Sequence, residues 1–179
     1  MSARIEIAPE DLVINPSHLW AQQWLLLTAG DYAAGRYNTM TVGWGYIGHM
    51  WGKPSAVAFV RPQRYTAEFL RECDSFTLTA FGEEMRSALK LCGAKSGRDC
   101  DKIREGQLTA IASQTVCSPA FAEAELILEC RQNYRDVFKK DSFLDSMIPK
   151  EIYPAGDFHL IYAGEILRIE GTEKYLRKL

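Results

Sequence analysis

Three clusters of polar residues in this sequence have the side-chain types that bind a small, flat, charged ligand. The first is the segment 37–41, where amides and hydroxyls are interleaved with the backbone of a predicted strand. Such groups supply hydrogen-bond donors and acceptors to the edge of a planar heterocycle. A strand with a polar outer face explains the same residues, and the segment alone does not decide between the two.

The second cluster, residues 60–66, places two arginines on a turn after a predicted buried strand. Arg61 and Arg64 lie on this turn, and Thr66 is predicted to cap the helix that follows. Free N–H groups at a helix start, the helix dipole and guanidinium groups all attract anions. The cluster therefore favours a phosphate site over its alternative, a surface turn with solvated arginines.

The third cluster, residues 93–102, combines a Ser-Gly turn with the positive charges of Arg98 and Lys102. The turn allows close approach of backbone to a ligand. Taken alone, the segment is better explained as a loop between two helices. It lacks the Gly-Lys-Ser/Thr ending of a nucleotide-binding P-loop. A Rossmann dinucleotide site is not supported either, because the predicted strands are not separated at regular intervals by the full helices of a parallel sheet.

Composition restricts the classes of function. The chain has 179 residues and a formal net charge of −2, which predicts one domain over residues 1–179 and favours neither nucleic acid nor an anionic membrane as a partner. The N-terminus does not resemble a signal peptide, and apolar runs such as 24–27 and 56–60 are too short to span a bilayer. These features predict a cytoplasmic protein.

Five cysteines form an odd set, and no two of them are closer than eight positions. This spacing offers no CxxC pair and no even disulfide framework. We therefore expect reduced thiols, with Cys92 and Cys130 buried, and no metal site.

The elements that must position these clusters are mostly strands. Alternating or continuous apolar runs predict strands at 24–29, 38–44, 56–60, 75–80, 126–131 and 159–169. Helices are predicted at 66–71, at 85–92 with Gly93 in a left-handed C-terminal position, and at 99–106 with Asp99 as the N-cap. The pattern predicts a mainly β fold with helical insertions, in a closed or nearly closed antiparallel barrel. Trp44 and Trp51 are interpreted as core residues, and 139–152 as a mobile segment or dimer contact.

The order of several motifs resembles the flavin-reductase-like, FMN-binding split-barrel family, in its flavoredoxin-type branch. The motifs are Leu27–Gly30, Tyr37–Gly45, Met50–Pro54, Phe59–Thr66, Ser96–Asp99 with Asp101 and Lys102, and Asp157–His159 with Gly164–Ile166. The likeness extends over about residues 20 to 170. It implies a Greek-key split β-barrel, a homodimer, and FMN near the subunit interface.

The resemblance also implies roles for single residues. Asn38, Thr39, Met40 and Thr41 would line the isoalloxazine ring and ribityl chain, whereas Arg61, Arg64, Tyr65 and Thr66 would hold the phosphate. Ser96, Gly97, Arg98 and Lys102 would close over the cofactor. His159 would lie near the ring as the one candidate catalytic residue. Phe158 interrupts the commoner Asp-His dipeptide, and a strand histidine bonded to backbone is the alternative.

The leading hypothesis is an NAD(P)H-dependent flavin reductase, in which hydride passes from the nicotinamide to flavin N5. The alternative is a flavoredoxin-type electron carrier that holds FMN and exchanges electrons with a redox protein partner. A barrel that binds no FMN is the third possibility. All three are compatible with the sequence, which specifies neither the nicotinamide nor the electron acceptor.

Overall fold

Strands carry most of the regular structure of residues 3–178, the part of the chain that this computed structural model describes. The strands are β1 (Ile5–Glu6), β2 (Leu25–Asp31), β3 (Arg36–Val42), β4 (Gly45–Met50), β5 (Lys53–Val60), β6 (Ser75–Ala80), β7 (Ala110–Ile111), β8 (Ala120–Phe121), β9 (Leu126–Val137) and β10 (Leu160–Gly171). The helices are α1 (Pro16–His18), α2 (Thr66–Glu72), α3 (Arg86–Ala94), α4 (Lys102–Glu105) and α5 (Met147–Ile152). A π-helical turn, Leu19–Gln23, follows α1.

The main sheet has eight strands, and its order is β3-β2-β6-β9-β10-β5-β4, with β1 added beside β10. Its pairings are antiparallel, and β9 and β10, twelve residues each, form its longest pair. β7 and β8 form a separate two-stranded sheet. The predicted mainly β fold with helical insertions is confirmed.

Apolar side chains are buried on both faces of the sheet. Because successive side chains of a strand point to opposite faces, Leu25 and Leu27 enter one core and Leu26 enters the other. The first core lies within the curved sheet and includes Phe76, Leu78, Leu128 and Ile166. The second lies beneath α3 and includes Phe81, Leu89, Phe121 and Ile127. Burial on both faces explains why β2 is a continuous apolar run and does not alternate.

The structure corrects three details of the predicted helices. Gly93 lies inside α3, where a Cβ atom would come within 3.3 Å of the Thr41 side chain, so it is required for close packing and not for a left-handed turn. Thr66 is the first residue of α2, and Tyr65 occupies the N-cap. Asp101, not Asp99, caps α4 by accepting a hydrogen bond from Arg104 N at 3.1 Å.

Two aromatic residues were predicted wrongly as core. Trp44 is 48% exposed and Trp51 is 60% exposed. They flank β4, a strand that the sequence did not predict because its residues are glycine-rich and largely exposed. Between residues 3 and 178, no helix combines the length and the apolar character that a membrane crossing requires.

Candidate functional site

All three predicted clusters meet at one cleft of about 350 Å³ beside the C-terminal end of α3. The lining residues are Met40, Arg61, Gln63, Arg64, Tyr65, Thr66, Ala94, Lys95, Ser96 and Lys102. Met40 comes from β3, residues 61–66 from the turn between β5 and α2, and the others from the end of α3, the loop after it and α4. Segments more than 60 positions apart in the sequence therefore form one surface.

Two cations of the cleft are held by the carbonyl groups at the end of α3. Lys102 is only 4% exposed, and its Nζ donates to the carbonyl oxygens of Cys92 and Lys95, at 3.3 Å each. Arg64 Nη1 donates to the carbonyl oxygen of Gly93 at 2.6 Å. The last carbonyls of a helix carry partial negative charge and are favourable partners for cations.

These partners are neutral, so the positive charges of Arg64 and Lys102 remain uncompensated. Neither side chain forms an ion pair with a carboxylate among residues 3–178. Burial lowers the pKa of Lys102, and the nearby positive charge of Arg64 lowers it further, against an opposing effect of Cys92. An anion bound between the two cations would relieve this repulsion. The cleft is therefore suited to a phosphate or a carboxylate group.

Asn38 connects the three segments that form the cleft. Its Nδ2 donates to Thr66 Oγ1 at 2.7 Å, which joins β3 to the start of α2. A Cβ atom on Gly97 would lie 2.0 Å from Asn38 Oδ1, so only glycine allows the loop after α3 to approach this closely. Asn38 is 6% exposed. Its amide thus positions the walls of the cleft.

The side chains of Thr39 and Thr41 lie on the opposite face of β3 from Asn38 and Met40. The Thr39 hydroxyl donates to Leu27 O at 3.3 Å and accepts from Thr28 Oγ1 at 2.9 Å. The Thr41 hydroxyl donates to Leu89 O at 2.5 Å. These two hydroxyls are therefore used inside the fold, and the implied contact of residues 38–41 with a ligand stays a prediction.

Arg61 also lines the cleft, but its guanidinium group is already occupied. Nη1 contacts Asp157 Oδ2 at 2.5 Å, Nη2 donates to Ile152 O at 2.9 Å, and the group lies 4.9 Å from the centre of the Tyr153 ring. Hydrogen bonds from Gln63 and from Arg61 lower the pKa of Asp157. Unlike Arg64, Arg61 has its charge neutralised within the protein.

His159 lies in an aromatic cluster beside Arg61. It is 7% exposed, its Nδ1 is 2.8 Å from the Tyr153 hydroxyl, and its ring stacks on Trp44 at a centroid distance of 4.7 Å. Burial, together with the positive charge of Arg61, lowers the pKa of His159 to about 4. The imidazole is thus uncharged at pH 7. It can form a neutral hydrogen bond at this pH but does not act as an imidazolium acid. Its proximity to a ligand ring stays a prediction.

Arg98 is exposed and lies outside the residues that line the cleft. It pairs with Glu68, and its guanidinium carbon is 4.5 Å from the centre of the Tyr65 ring. Arg98 precedes α4 and belongs to the loop after α3. Its contact with Tyr65 fixes the loop of residues 95–101 over one side of the cleft.

Sequence reasoning missed Gln63 as a lining residue and Tyr153 as the partner of His159. Tyr153 had no signal in the sequence, because it belongs to the segment after α5 and reaches His159 only through the fold. Asp157 belongs to one of the motifs of the family resemblance, but nothing near it in the sequence indicates its pairing with Arg61. The five cysteines are free thiols, and Cys92 and Cys130 are buried as predicted.

Charge distinguishes this cleft from two larger cavities of the molecule. A cavity of about 580 Å³ is lined by four glutamates and one lysine, which together would repel an anion: Glu84, Glu123, Glu125, Glu173 and Lys174. Another, of about 540 Å³, is mainly apolar. Uncompensated cations, not volume, distinguish the cleft at α3 from these two cavities.

Comparison with known proteins agrees with this geometry. A family model described as the flavin reductase like domain matches residues 18–178. The chain belongs to the flavin-reductase-like family. No match is found among curated proteins.

Solved structures of this family share the fold. Flavoredoxin from Methanosarcina acetivorans is 24% identical, with a TM-score of 0.66 over 92% of this chain and 76% of that one. Flavoredoxin of Desulfovibrio vulgaris (Miyazaki F) is 19% identical, with a TM-score of 0.67 over 89% and 78%. The FMN-binding domain of a flavin reductases-like enzyme from Shewanella baltica OS155 is 13% identical, with a TM-score of 0.67 over 96% and 78%. The predicted split-barrel fold is confirmed.

Proposed function

We propose that this chain binds FMN in the cleft at α3 and catalyses the reduction of that flavin by NAD(P)H. The observation that carries the proposal is the pair of uncompensated cations, Arg64 and Lys102, in a cleft of a flavin-reductase-like barrel. A phosphate monoester supplies the charge and the acceptor oxygens that this pair lacks. The hydroxyl of Ser96, which also lines the cleft, is a further donor for the phosphate.

The volume of the cleft, about 350 Å³, is at the small end of the range of roughly 300–1,000 Å³ that is usual for ligand pockets. It suits the phosphate and the ribityl chain, and we assign Met40, Asn38 and His159 to the side of the ring. Asn38 would contribute mainly by positioning the segments that form the cleft, since its amide nitrogen is already bonded to Thr66.

FMN, when bound, supplies the ring that accepts hydride, and the protein supplies binding, orientation and electrostatics. The ammonium group of Lys102 favours negative charge in the cleft, because it is buried and has only carbonyl partners. The neutral imidazole of His159 adds a polar contact without a charge, and the Tyr153 hydroxyl fixes its orientation. Trp44 presents a half-exposed ring beside it, a suitable surface for a second planar group.

The test is an absorbance titration of the purified protein with FMN, followed by addition of NADH or NADPH. We expect stoichiometric binding of FMN and rapid loss of the oxidised flavin absorbance with one of the two nicotinamides. A colourless protein that does not take up FMN would contradict the proposal. This outcome would support the third possibility, a barrel that has kept the fold without the cofactor.

An electron carrier is the second candidate. Exposed aromatic side chains favour it, since Trp44, Tyr46 and Trp51 are 48%, 69% and 60% exposed around one edge strand, β4. Such a patch suits a protein partner. A carrier would hold FMN but would not be reduced quickly by either nicotinamide, so the same titration separates the two candidates.

We further propose that the protein is a cytoplasmic homodimer. The dimer is supported by apolar side chains of the segment 139–152, which are exposed in the single chain. Leu144 is fully exposed, and Met147, Ile148 and Ile152 are 49%, 40% and 37% exposed. Burial of this surface against a second copy would stabilise the pair. Sedimentation velocity tests the proposal: we expect about twice the chain mass of 20.2 kDa, and a monomer at micromolar concentration would contradict it.

A further inference from the structure

A second pair of arginines lies at the opposite end of α2 from the cleft. Arg71 is in the last turn of α2, and Arg135 is in β9. Arg135 Nη1 donates to the carbonyl oxygen of Arg71 at 2.9 Å, which brings the two residues together. Both line a pocket of about 440 Å³, together with Val137, Leu160 and Tyr162.

A tyrosine also lines this pocket. Tyr162 is 2% exposed, and its ring belongs to the core inside the sheet. It lies directly opposite Arg135 in the pairing of β9 with β10. Burial raises the pKa of Tyr162, and both arginines oppose this effect, so their charges lie close to the phenol.

Neither arginine is neutralised by a carboxylate within residues 3–178, although several other arginines of the molecule are. Arg36 pairs with Glu72 at 2.6 Å, so the carboxylate nearest to Arg71 in the sequence is already occupied. The carboxylate of Asp136, which also borders the pocket, accepts from the Tyr134 hydroxyl at 2.6 Å and from Val137 N at 2.8 Å. Asp136 also pairs with Lys139 Nζ at 3.7 Å, so the positive charges of Arg71 and Arg135 remain in excess at this pocket.

We propose that this pocket is a second anion site, which binds the carboxylate or phosphate group of a small organic anion. The two guanidinium groups would hold the anionic head in charge-assisted hydrogen bonds, and the Tyr162 hydroxyl would donate a third. Val137 and Leu160 form an aliphatic wall that would cover the apolar body of the ligand. The site is separate from the cleft and does not depend on the binding of FMN.

The test is calorimetric titration of the full-length protein with phenyl phosphate, benzoate and inorganic phosphate, with excess FMN present to occupy the cleft. We expect one binding site per chain for the two organic anions, and weaker binding of inorganic phosphate, which lacks an apolar body. Arg71→Gln and Arg135→Gln should each weaken binding about tenfold, and Tyr162→Phe about threefold. Arg71→Gln is the safer variant for folding, because it keeps the carbonyl that Arg135 binds.

Two controls localise the site. Arg177→Gln removes the same charge from an exposed residue outside the pocket and should leave binding unchanged. Arg64→Gln removes a cation of the cleft and should also leave it unchanged, so failure of this site and failure of the FMN proposal give different results. Loss of organic-anion binding in Arg64→Gln would overturn the proposal, and so would a loss in Arg177→Gln as large as that in Arg71→Gln. The proposal would also be wrong if neither organic anion bound, or if inorganic phosphate bound as tightly as phenyl phosphate.

Discussion

Basic residues are used in opposite ways in the cleft and in the aromatic cluster that adjoins it at Arg61. In the cleft near α3, Arg64 and Lys102 are held by neutral carbonyl groups and keep their charges. In the cluster, Arg61 is neutralised by Asp157, and the neighbouring His159 is uncharged because it is buried. We call the first region the cationic end and the second the aromatic end, since Trp44 and Tyr153 contact His159 there.

This difference shows that the partner of a basic residue, not its position in the sequence, decides what it contributes to binding. Arg61 and Arg64 are three residues apart on one turn, and no sequence pattern distinguishes one from the other. The carbonyl partner of Arg64 leaves a charge for a ligand, whereas the carboxylate partner of Arg61 removes it. A ligand with a phosphate at one end and a flat ring at the other would match the two ends in turn.

The largest effect that we expect concerns the aromatic end and its neutral imidazole. His159 has a pKa of about 4 in the folded protein, below its unfolded value of about 6.5. Between these two pH values, the imidazole is protonated in the unfolded chain but not in the folded chain. The free energy of unfolding therefore falls as the pH drops from 6.5 towards 4. Between pH 7 and about pH 4.5, the titration of His159 lowers the free energy of unfolding by at most about 2.5 kcal/mol.

Urea denaturation at the two pH values measures this effect. The His159→Gln variant keeps a polar group for the Tyr153 hydroxyl but cannot titrate, so its unfolding free energy should fall by about 2 kcal/mol less than that of the wild type. Equal losses in the two proteins would show that His159 is not held in its neutral form.

At the cationic end, Lys102→Met should weaken FMN binding by about thirtyfold, or roughly 2 kcal/mol, because a buried charge forms strong hydrogen bonds with a phosphate. Lys90→Met is the matched control, since Lys90 is an exposed lysine of α3. Fluorescence titration with FMN measures both. Similar affinities in the two variants would place the phosphate elsewhere.

The smallest effect compares the two arginines directly. Arg64→Gln should weaken FMN binding about tenfold, whereas Arg61→Gln should change it less than about threefold and should mainly lower stability through the loss of the Asp157 pair. The same titration, with thermal unfolding of both variants, checks this. If Arg61→Gln weakened FMN binding as much as Arg64→Gln, the distinction between the two ends would be wrong.

Much of the fold could be predicted from local patterns. The apolar run of β2 and the alternation of β6 follow from burial, and six of the strands lie where periodicity placed them. β4 could not be predicted, because its glycines and exposed residues give no periodic signal. The N-cap of α4 was misplaced by two residues, since Asp99 and Asp101 have the same side chain and only the backbone conformation selects between them.

The candidate site was predictable as a set of segments but not as a set of contacts. The residue types in segment 60–66 favoured a phosphate site, whereas segments 37–41 and 93–102 did not decide the question alone. The position of Met40 in the cleft and of the Thr39 hydroxyl inside the fold depends on how the two faces of β3 are covered, and that is a tertiary property. The bond between Tyr153 and His159 likewise exists only because the segment after α5 folds back on β10.

One comparison tests the uncompensated charge of the cationic end most directly. It is the affinity of the wild-type protein for FMN against its affinity for riboflavin, measured under the same conditions. The two ligands share the ring and the ribityl chain and differ only in the phosphate. We expect FMN to bind at least tenfold more tightly, which corresponds to about 1.4 kcal/mol from the contacts with Arg64 and Lys102. Equal affinities would show that these two cations do not hold a phosphate, and the proposed orientation of the ligand in the cleft would then be wrong.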